Sequence, residues 1–198
     1  MSSEELSVFK PGEMAVPGRL ELSAPARRRS QAALVRAARR GDDGAVDELF
    51  RRHWPVAYRA AYLVVGDRAA AEDIAQEAFL KAVGALDRFD RRRPFAPWLH
   101  SIAVNRAIDW TRARALRLEQ PTAEWSTVDP AHPAGISREL AAALGSLTAE
   151  HRAVVVLRYL LEYTPGEIAA MLELPRGTVN SRLRRGLDAL VRELEAHR

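Results

Sequence analysis

Tyr163 to Leu190 reads YTPGEIAAMLELPRGTVNSRLRRGLDAL, and this stretch decides the class of fold. Thr164 is a good N-cap, Pro165 stands at the first helical position and Glu167 follows the cap by three residues. Together they form a capping box that opens a helix. Ile168, Ala169 and Leu172 face one way along it, and Glu173-Leu174-Pro175 ends it, because proline disfavours helical backbone in the residue before it. A longer helix follows, with Val179, Leu183, Leu187 and Leu190 on one stripe. The expected buried set is Ile168, Leu172, Leu174, Val179 and Leu183, with the small Ala169 where the two helices approach. That is helix-turn-helix spacing. The opposite face carries Arg176, Thr178, Asn180, Ser181, Arg184 and Arg185, residue types that reach phosphates and base edges in a major groove. The plainer reading is an αα-hairpin with a charged solvent face. The capping box, the tight turn and the one-sided polar face together favour DNA binding. Glu173 stands where many such turns place glycine, so strain is expected there without loss of the motif.

Helical periodicity extends upstream. Helices are expected from Gln31 to Arg40, from Asp43 to Val65, from the N-cap Asp67 to about Leu86, and from about Pro97 into the arginines near 117. Gly41 and Gly66 supply the stops. No window alternates long enough to claim a strand. Residues 118–136 hold Pro121, Pro130 and Pro133 with Glu119, Glu124 and Asp129, and lack helical pattern. They read as a flexible linker, stiffer where the prolines lie. Residues 1–30, with Pro11, Pro17, Pro25 and the run Arg27-Arg28-Arg29, read as a disordered tail. The expected architecture is all-α: two small helical domains, 31–117 and 137–198, joined by the linker.

Composition narrows the function classes. The 198 residues carry a formal net charge of +4, and all but two of the 30 basic residues are arginine, whose guanidinium fork grips phosphate bidentately. The lean toward a polyanionic partner is mild, because 26 acidic residues nearly offset it. With no cysteine, a disulfide scaffold, a thiolate zinc site and a thiol nucleophile are excluded. The five histidines lack ligand spacing, so no metal or other cofactor is expected. No apolar run approaches a membrane span, and the acidic start MSSEELSVFKPGE does not read as a signal peptide, so the expected location is cytoplasmic.

A family resemblance enters at Ala71 to Arg114, AEDIAQEAFLKAVGALDRFDRRRPFAPWLHSIAVNRAIDWTRAR. This stretch resembles region 2 of the sigma-70 family, and its spacing to the downstream helix-turn-helix is similar to that of extracytoplasmic-function (ECF) sigma factors. DIAQEAF at 73–79 resembles the signature for binding core polymerase, PWLHSIAVN at 97–105 the segment for the minus-ten element, and RGTVNSRL at 176–183 the reader of the minus-thirty-five element. The resemblance implies a non-enzymatic factor that lends RNA polymerase its promoter specificity. Asp73, Gln76, Glu77, Phe79 and Lys81 would dock on the clamp helices of the β′ subunit. Phe89 and Asn105 would hold a base flipped from the minus-ten element, Arg91, Arg92, Arg93, Arg106 and Arg112 would grip the backbone, His100 would be a weaker base contact, and Asp109 belongs to the same minus-ten set. The C-terminal domain would meet the β flap and promoter duplex. An anti-sigma factor is the further partner the resemblance implies.

Read without the resemblance, Trp98, Leu99 and Ile102 have core spacing, Trp110 is undecided, and the polar face of the third helix could simply be solvated. Two rival readings fit the residues less well. A stand-alone helix-turn-helix regulator would need a dimer interface or ligand pocket upstream, and neither heptads nor a glycine-lined pocket is present. A DNA-processing enzyme would need clustered carboxylates or an activated nucleophile, whereas Asp67, Glu72, Asp73 and Glu77 are strung along one helix.

Overall fold

A computed structural model describes residues 30–90, 92–117 and 137–196. The tail, Arg91 and the linker, with their sequence-based expectations, lie outside the described residues. Eight α-helices follow in order: α1 (Gln31–Ala38), α2 (Asp43–Val65), α3 (Arg68–Gly84), α4 (Phe95–Arg117), α5 (Arg138–Gly145), α6 (Ala149–Val155), α7 (Pro165–Met171) and α8 (Arg176–Ala196). No strand occurs among the described residues.

Caps set most of the starts. Ser30, Asp42, Asp67, Ser137, Thr148 and Thr164 each accept a backbone N–H from the first turn of the helix that follows, satisfying donors that would otherwise be orphaned. At Thr164 the capping box is complete, with Glu167 accepting from the Thr164 backbone at 2.8 Å. Gly66 closes α2 in the left-handed conformation, φ 72°. Two boundaries differ from the sequence expectation. The third helix stops at Gly84 and passes into a 3₁₀ turn, Leu86–Arg88, while the fourth starts at Phe95, one turn portion earlier than Pro97. The early start has a tertiary cause: with its amide oxygen turned toward α4, Gln31 accepts from Phe95 N–H at 2.9 Å and Ala96 N–H at 3.2 Å. Nothing local in the 94–98 segment announces a cap supplied from α1.

α1 to α4 form one bundle, with Leu34, Leu49, Phe79, Phe95 and Leu99 in its lower core. α5 to α8 form the second unit, in which α6 continues into a π-helical turn, Val156–Leu160. The two units share a core. Leu63, Val64, Ile74, Val104 and Ile108 of the first lie in the same apolar cluster as Leu144, Val154, Leu157, Ile168 and Val179 of the second. α6 packs on α2 and α4, and α7 packs on α4.

The close approach of α8 to α6 falls at Gly186, while Ala169 on α7 is half-buried and packs against the shared core. A Cβ at Gly186 would stand 2.9 Å from Val155 Cγ2 and 3.5 Å from the His151 carbonyl. Leu187, placed on the stripe by periodicity, is half-buried, because the residue α8 turns inward against α6 is Gly186.

Candidate nucleic-acid and polymerase interface

α3 presents Asp73, Gln76, Glu77 and Lys81 on one exposed face, together with Leu80, which is 63% exposed. An apolar residue among charges is what a docking face needs for desolvation at its centre. Leu80 escaped the sequence reading, although an apolar residue off the stripe of an amphipathic helix was the available signal. Phe79 lies on the other side. It is buried, edge-on to Phe50 with ring centroids 5.0 Å apart, and supports the face from beneath.

The 3₁₀ turn and the loop after it bring Phe89, Arg92 and Arg93 beside the start of α4. Phe89 is itself buried, 4.5 Å from the Trp98 ring and edge-on to Phe95 at 6.0 Å. It walls a hollow of about 370 Å³ completed by Gln31, Val35, Arg36, Arg92, Arg93 and Pro94. Arg92 and Arg93 are exposed at its mouth. Leu99 is core, Trp98 and Ile102 pack against that core, and Trp110 is half-buried with the Arg114 guanidinium 5.2 Å from its centroid.

Further along α4, Asn105, Arg106, Asp109 and Arg112 share one exposed side. Arg106 donates to Glu77 at 2.8 Å, so a residue of the α3 face holds one of the α4 face. That hydrogen bond and the Glu77 charge raise the Arg106 pKa. Asn105 donates its amide to the Met171 carbonyl at 3.2 Å, and Arg112 donates to Glu150 at 2.6 Å. Burial pulls the Glu150 carboxyl upward, but its backbone N–H and the Arg112 guanidinium outweigh this and its pKa is lowered. His100, expected off the core stripe, is instead buried at the junction of the two units, with Nδ1 2.7 Å from the Tyr163 hydroxyl. Sequence periodicity within α4 could not register a neighbour 63 residues away. Burial and the nearby His53 hold its imidazole down at about 4, and burial with the Glu167 charge raises the Tyr163 phenol to about 12. The pair is therefore a neutral one, held by a single hydrogen bond whose donor is set by the imidazole tautomer.

In the second unit α7, the turn and α8 form the helix-turn-helix. Ile168 and Val179 are fully buried between the helices, Leu172 and Leu183 nearly so, and Leu174 is half-buried. Glu173 occupies the left-handed region at φ 52°, the strain expected of that turn. Arg176, Asn180, Arg184 and Arg185 are exposed on the outer side of α8, with Thr178 and Ser181 half-exposed. An exposed helix lined with forks and amides has the dimensions and chemistry for a major groove.

Residues 49–117 match the family model described as Sigma-70 region 2, and residues 137–190 match Sigma-70, region 4. The curated relative ECF RNA polymerase sigma factor SigW of Bacillus subtilis (strain 168) is 34% identical over 176 residues, 81% of this chain and 94% of that one. The chain belongs to the ECF sigma factors. A second relative, ECF RNA polymerase sigma factor SigL of Mycobacterium tuberculosis (strain ATCC 25618 / H37Rv), is 35% identical over 168 residues, 81% of this chain and 89% of the relative. Among solved structures, CnrH in complex with the cytosolic domain of CnrY is similar at a TM-score of 0.64 and 31% identity, covering 84% of this chain and 97% of that one. RpoE of Bartonella quintana, solved with the anti-sigma factor NepR, shares the fold at a TM-score of 0.62 and 21% identity, covering 77% of this chain and 98% of that one. As an ECF sigma factor, the protein is a non-enzymatic alternative sigma factor that binds core RNA polymerase and directs promoter recognition and transcription initiation. No described helix is long and apolar enough to cross a membrane.

Proposed function

We propose that this sigma factor reads its promoter at two points, with the first unit capturing melted minus-ten bases and the second entering the minus-thirty-five major groove. The observation that carries the reading is the placement of two separate cationic faces on two helical units: Arg92 and Arg93 at the mouth of the hollow walled by Phe89, with Arg106 exposed further along α4, and Arg184 and Arg185 on the outer side of α8. Phe89 frames the hollow while Asn105 offers amide hydrogen bonds to a flipped base. Arg92, Arg93, Arg106 and Arg112 neutralise strand phosphates, with Asp109 at the edge of that path. Arg176, Thr178, Asn180, Ser181, Arg184 and Arg185 contact the duplex. Asp73, Gln76, Glu77 and Lys81, around Leu80 and backed by Phe79, dock on the β′ clamp helices, and the second unit meets the β flap. The factor works in the cytoplasm, and an anti-sigma factor captures it there, as NepR is bound to RpoE of Bartonella quintana.

Run-off transcription from a genomic fragment library with core polymerase tests this. Discrete starts should appear only with the protein and weaken at least tenfold with Asn105→Ala or Arg185→Ala. Starts insensitive to both substitutions would overturn the residue assignments.

A further inference from the structure

α1 is fastened on both sides of the hollow walled by Phe89. On one side Gln31 accepts from the Phe95 and Ala96 N–H groups at the start of α4. On the other, Arg39, which caps the end of α1, reaches the 3₁₀ turn: it donates to the Asp87 carbonyl at 2.8 Å and stands 3.7 Å from the Asp87 carboxylate. Between these ties Leu34 and Val35 are buried in one apolar cluster with Phe89 and Phe95. α1 therefore cannot shift without moving Phe89 and the start of α4. On the same helix Arg36 is exposed and lines the hollow of about 370 Å³ together with Arg92 and Arg93. No carboxylate is among the described residues that line it. The two nearby acids of the turn and loop are engaged, Asp87 with Arg39 and Asp90 with the Arg92 backbone N–H at 3.0 Å. Among the described residues, none of the three arginines has an ion-pair partner.

We infer that α1 is a working wall of the minus-ten site, in which Arg36 grips a phosphate of the captured strand. The contact presupposes that the hollow receives a flipped minus-ten base. It adds a strand ligand from a helix that precedes residues 49–117, the stretch matching Sigma-70 region 2. Three guanidiniums without a carboxylate make a site for an anion. Their mutual repulsion is relieved when a phosphate enters, and each fork can take two of its oxygens. A base lodged in the hollow brings its own phosphate to the mouth. There Arg36 meets it from α1, and Arg92 and Arg93 meet it from the loop. Because Gln31 and Arg39 hold α1 in place, the Arg36 backbone is set before the strand arrives, and only side-chain rotamers remain to be ordered. The ordinary role for Arg36 is electrostatic: it lies in the last turn of α1, where the helix dipole favours a cation. Arg40, exposed just beyond that turn, is placed for the same dipole but does not line the hollow. The two arginines therefore separate a strand contact from a helix-end effect.

Holoenzyme assembled on core polymerase is titrated with a fluorescein-labelled promoter fragment mapped by run-off transcription. The fragment is mismatched across the minus-ten element, so that its strand is already unpaired there. The slope of log affinity against log salt counts released counterions, about 0.7 for each single-strand phosphate contact. Arg36→Ala should reduce the slope by about 0.7 and weaken binding about fivefold at about 0.1 M salt. Arg36→Lys should keep the slope, because an ammonium still neutralises the phosphate, and Arg36→Gln should lose it. Arg40→Ala should match the parent in both slope and affinity. A role at the helix end alone would lower the Tm of Arg36→Ala and leave its slope unchanged, which overturns the inference. Equal slope changes in Arg36→Ala and Arg40→Ala, the mark of a general field, would overturn it as well. Arg93→Ala tells these failures from that of the underlying reading. If Arg93→Ala reduces the slope and Arg36→Ala does not, the strand passes the hollow without touching α1. If neither reduces it, the hollow lies off the strand, and the minus-ten assignment of this loop falls too.

Discussion

Arg152 on α6 donates to the carbonyls of Val64, Gly145 and Leu147 at 2.6, 2.9 and 2.8 Å, so one buried guanidinium ties the end of α2 to the α5–α6 turn. Carbonyls at helix ends have no intrahelical donor, and burying them without a partner is costly. Burial lowers the Arg152 pKa to about 10, still far above neutrality, so the group remains a full cation. Its planar fork is what lets it serve carbonyls in three directions.

Arg152→Met should lower the unfolding free energy by about 3 kcal/mol, since several buried acceptors lose their donor while the side-chain volume is kept. Arg152→Lys should recover only part of this, because an ammonium on a flexible stem cannot reproduce the fork. Urea titrations followed by circular dichroism measure both, and a loss below about 1 kcal/mol for the Met variant would show that water replaces the guanidinium.

Acid should weaken the junction of the two units. The His100 pKa is depressed from 6.5 to about 4 in the folded chain, by burial first and by His53 second, and that of His53 is lowered by burial and by Arg52. A depressed histidine binds its proton more readily when unfolded. The stability contributed by neutral His100 is therefore fully present above about pH 6.5 and is lost as pH falls toward 4. The loss is on the order of 3 kcal/mol for His100. The slope of stability against pH between 6.5 and 4 should be shallower in His100→Asn, with a remainder from His53. An unchanged slope would mean the imidazole is already solvated.

Glu173→Gly should stabilise the helix-turn-helix by about 0.5–1 kcal/mol, because Glu173 sits at φ 52°, a conformation glycine adopts without a Cβ penalty. Glu173→Val should destabilise by more than about 1 kcal/mol, since a β-branched residue is poorly tolerated there. Thermal melts of the two variants should move in opposite directions, and equal shifts would count against strain at this turn.

Gly186 separates two opposing effects. Gly186→Ala gains about 1 kcal/mol of helix propensity but sets its methyl 2.9 Å from Val155 Cγ2, so the variant should be near neutral. Gly186→Leu has no such balance and should cost on the order of 3 kcal/mol by overpacking against α6. A Leu variant as stable as the parent would show that α8 and α6 can part freely.

Much of this protein was legible in sequence order. The all-α class, the starts of α2, α3 and α7, the capping box at Thr164 and the buried pair Ile168 and Val179 all follow from local rules, because caps, proline and 3.6-residue periodicity act within a few residues. The two motifs, in their order, also carried the family. Gly186 shows the limit: periodicity offers Leu187 for the stripe, but the rotation of α8 is chosen by how closely α6 approaches it.

What the sequence by itself determined is therefore which segments are helices, how each begins, and which residue types stand ready on their polar faces. Only the tertiary structure decided where those faces point and what they meet. His100 became a buried partner of Tyr163, Asn105 a donor to Met171 and Arg152 a tie to Val64, in each case across more than 60 residues of chain. Such pairings depend on how two apolar surfaces fit together, and no local propensity encodes the complementarity of surfaces that meet only after each has folded.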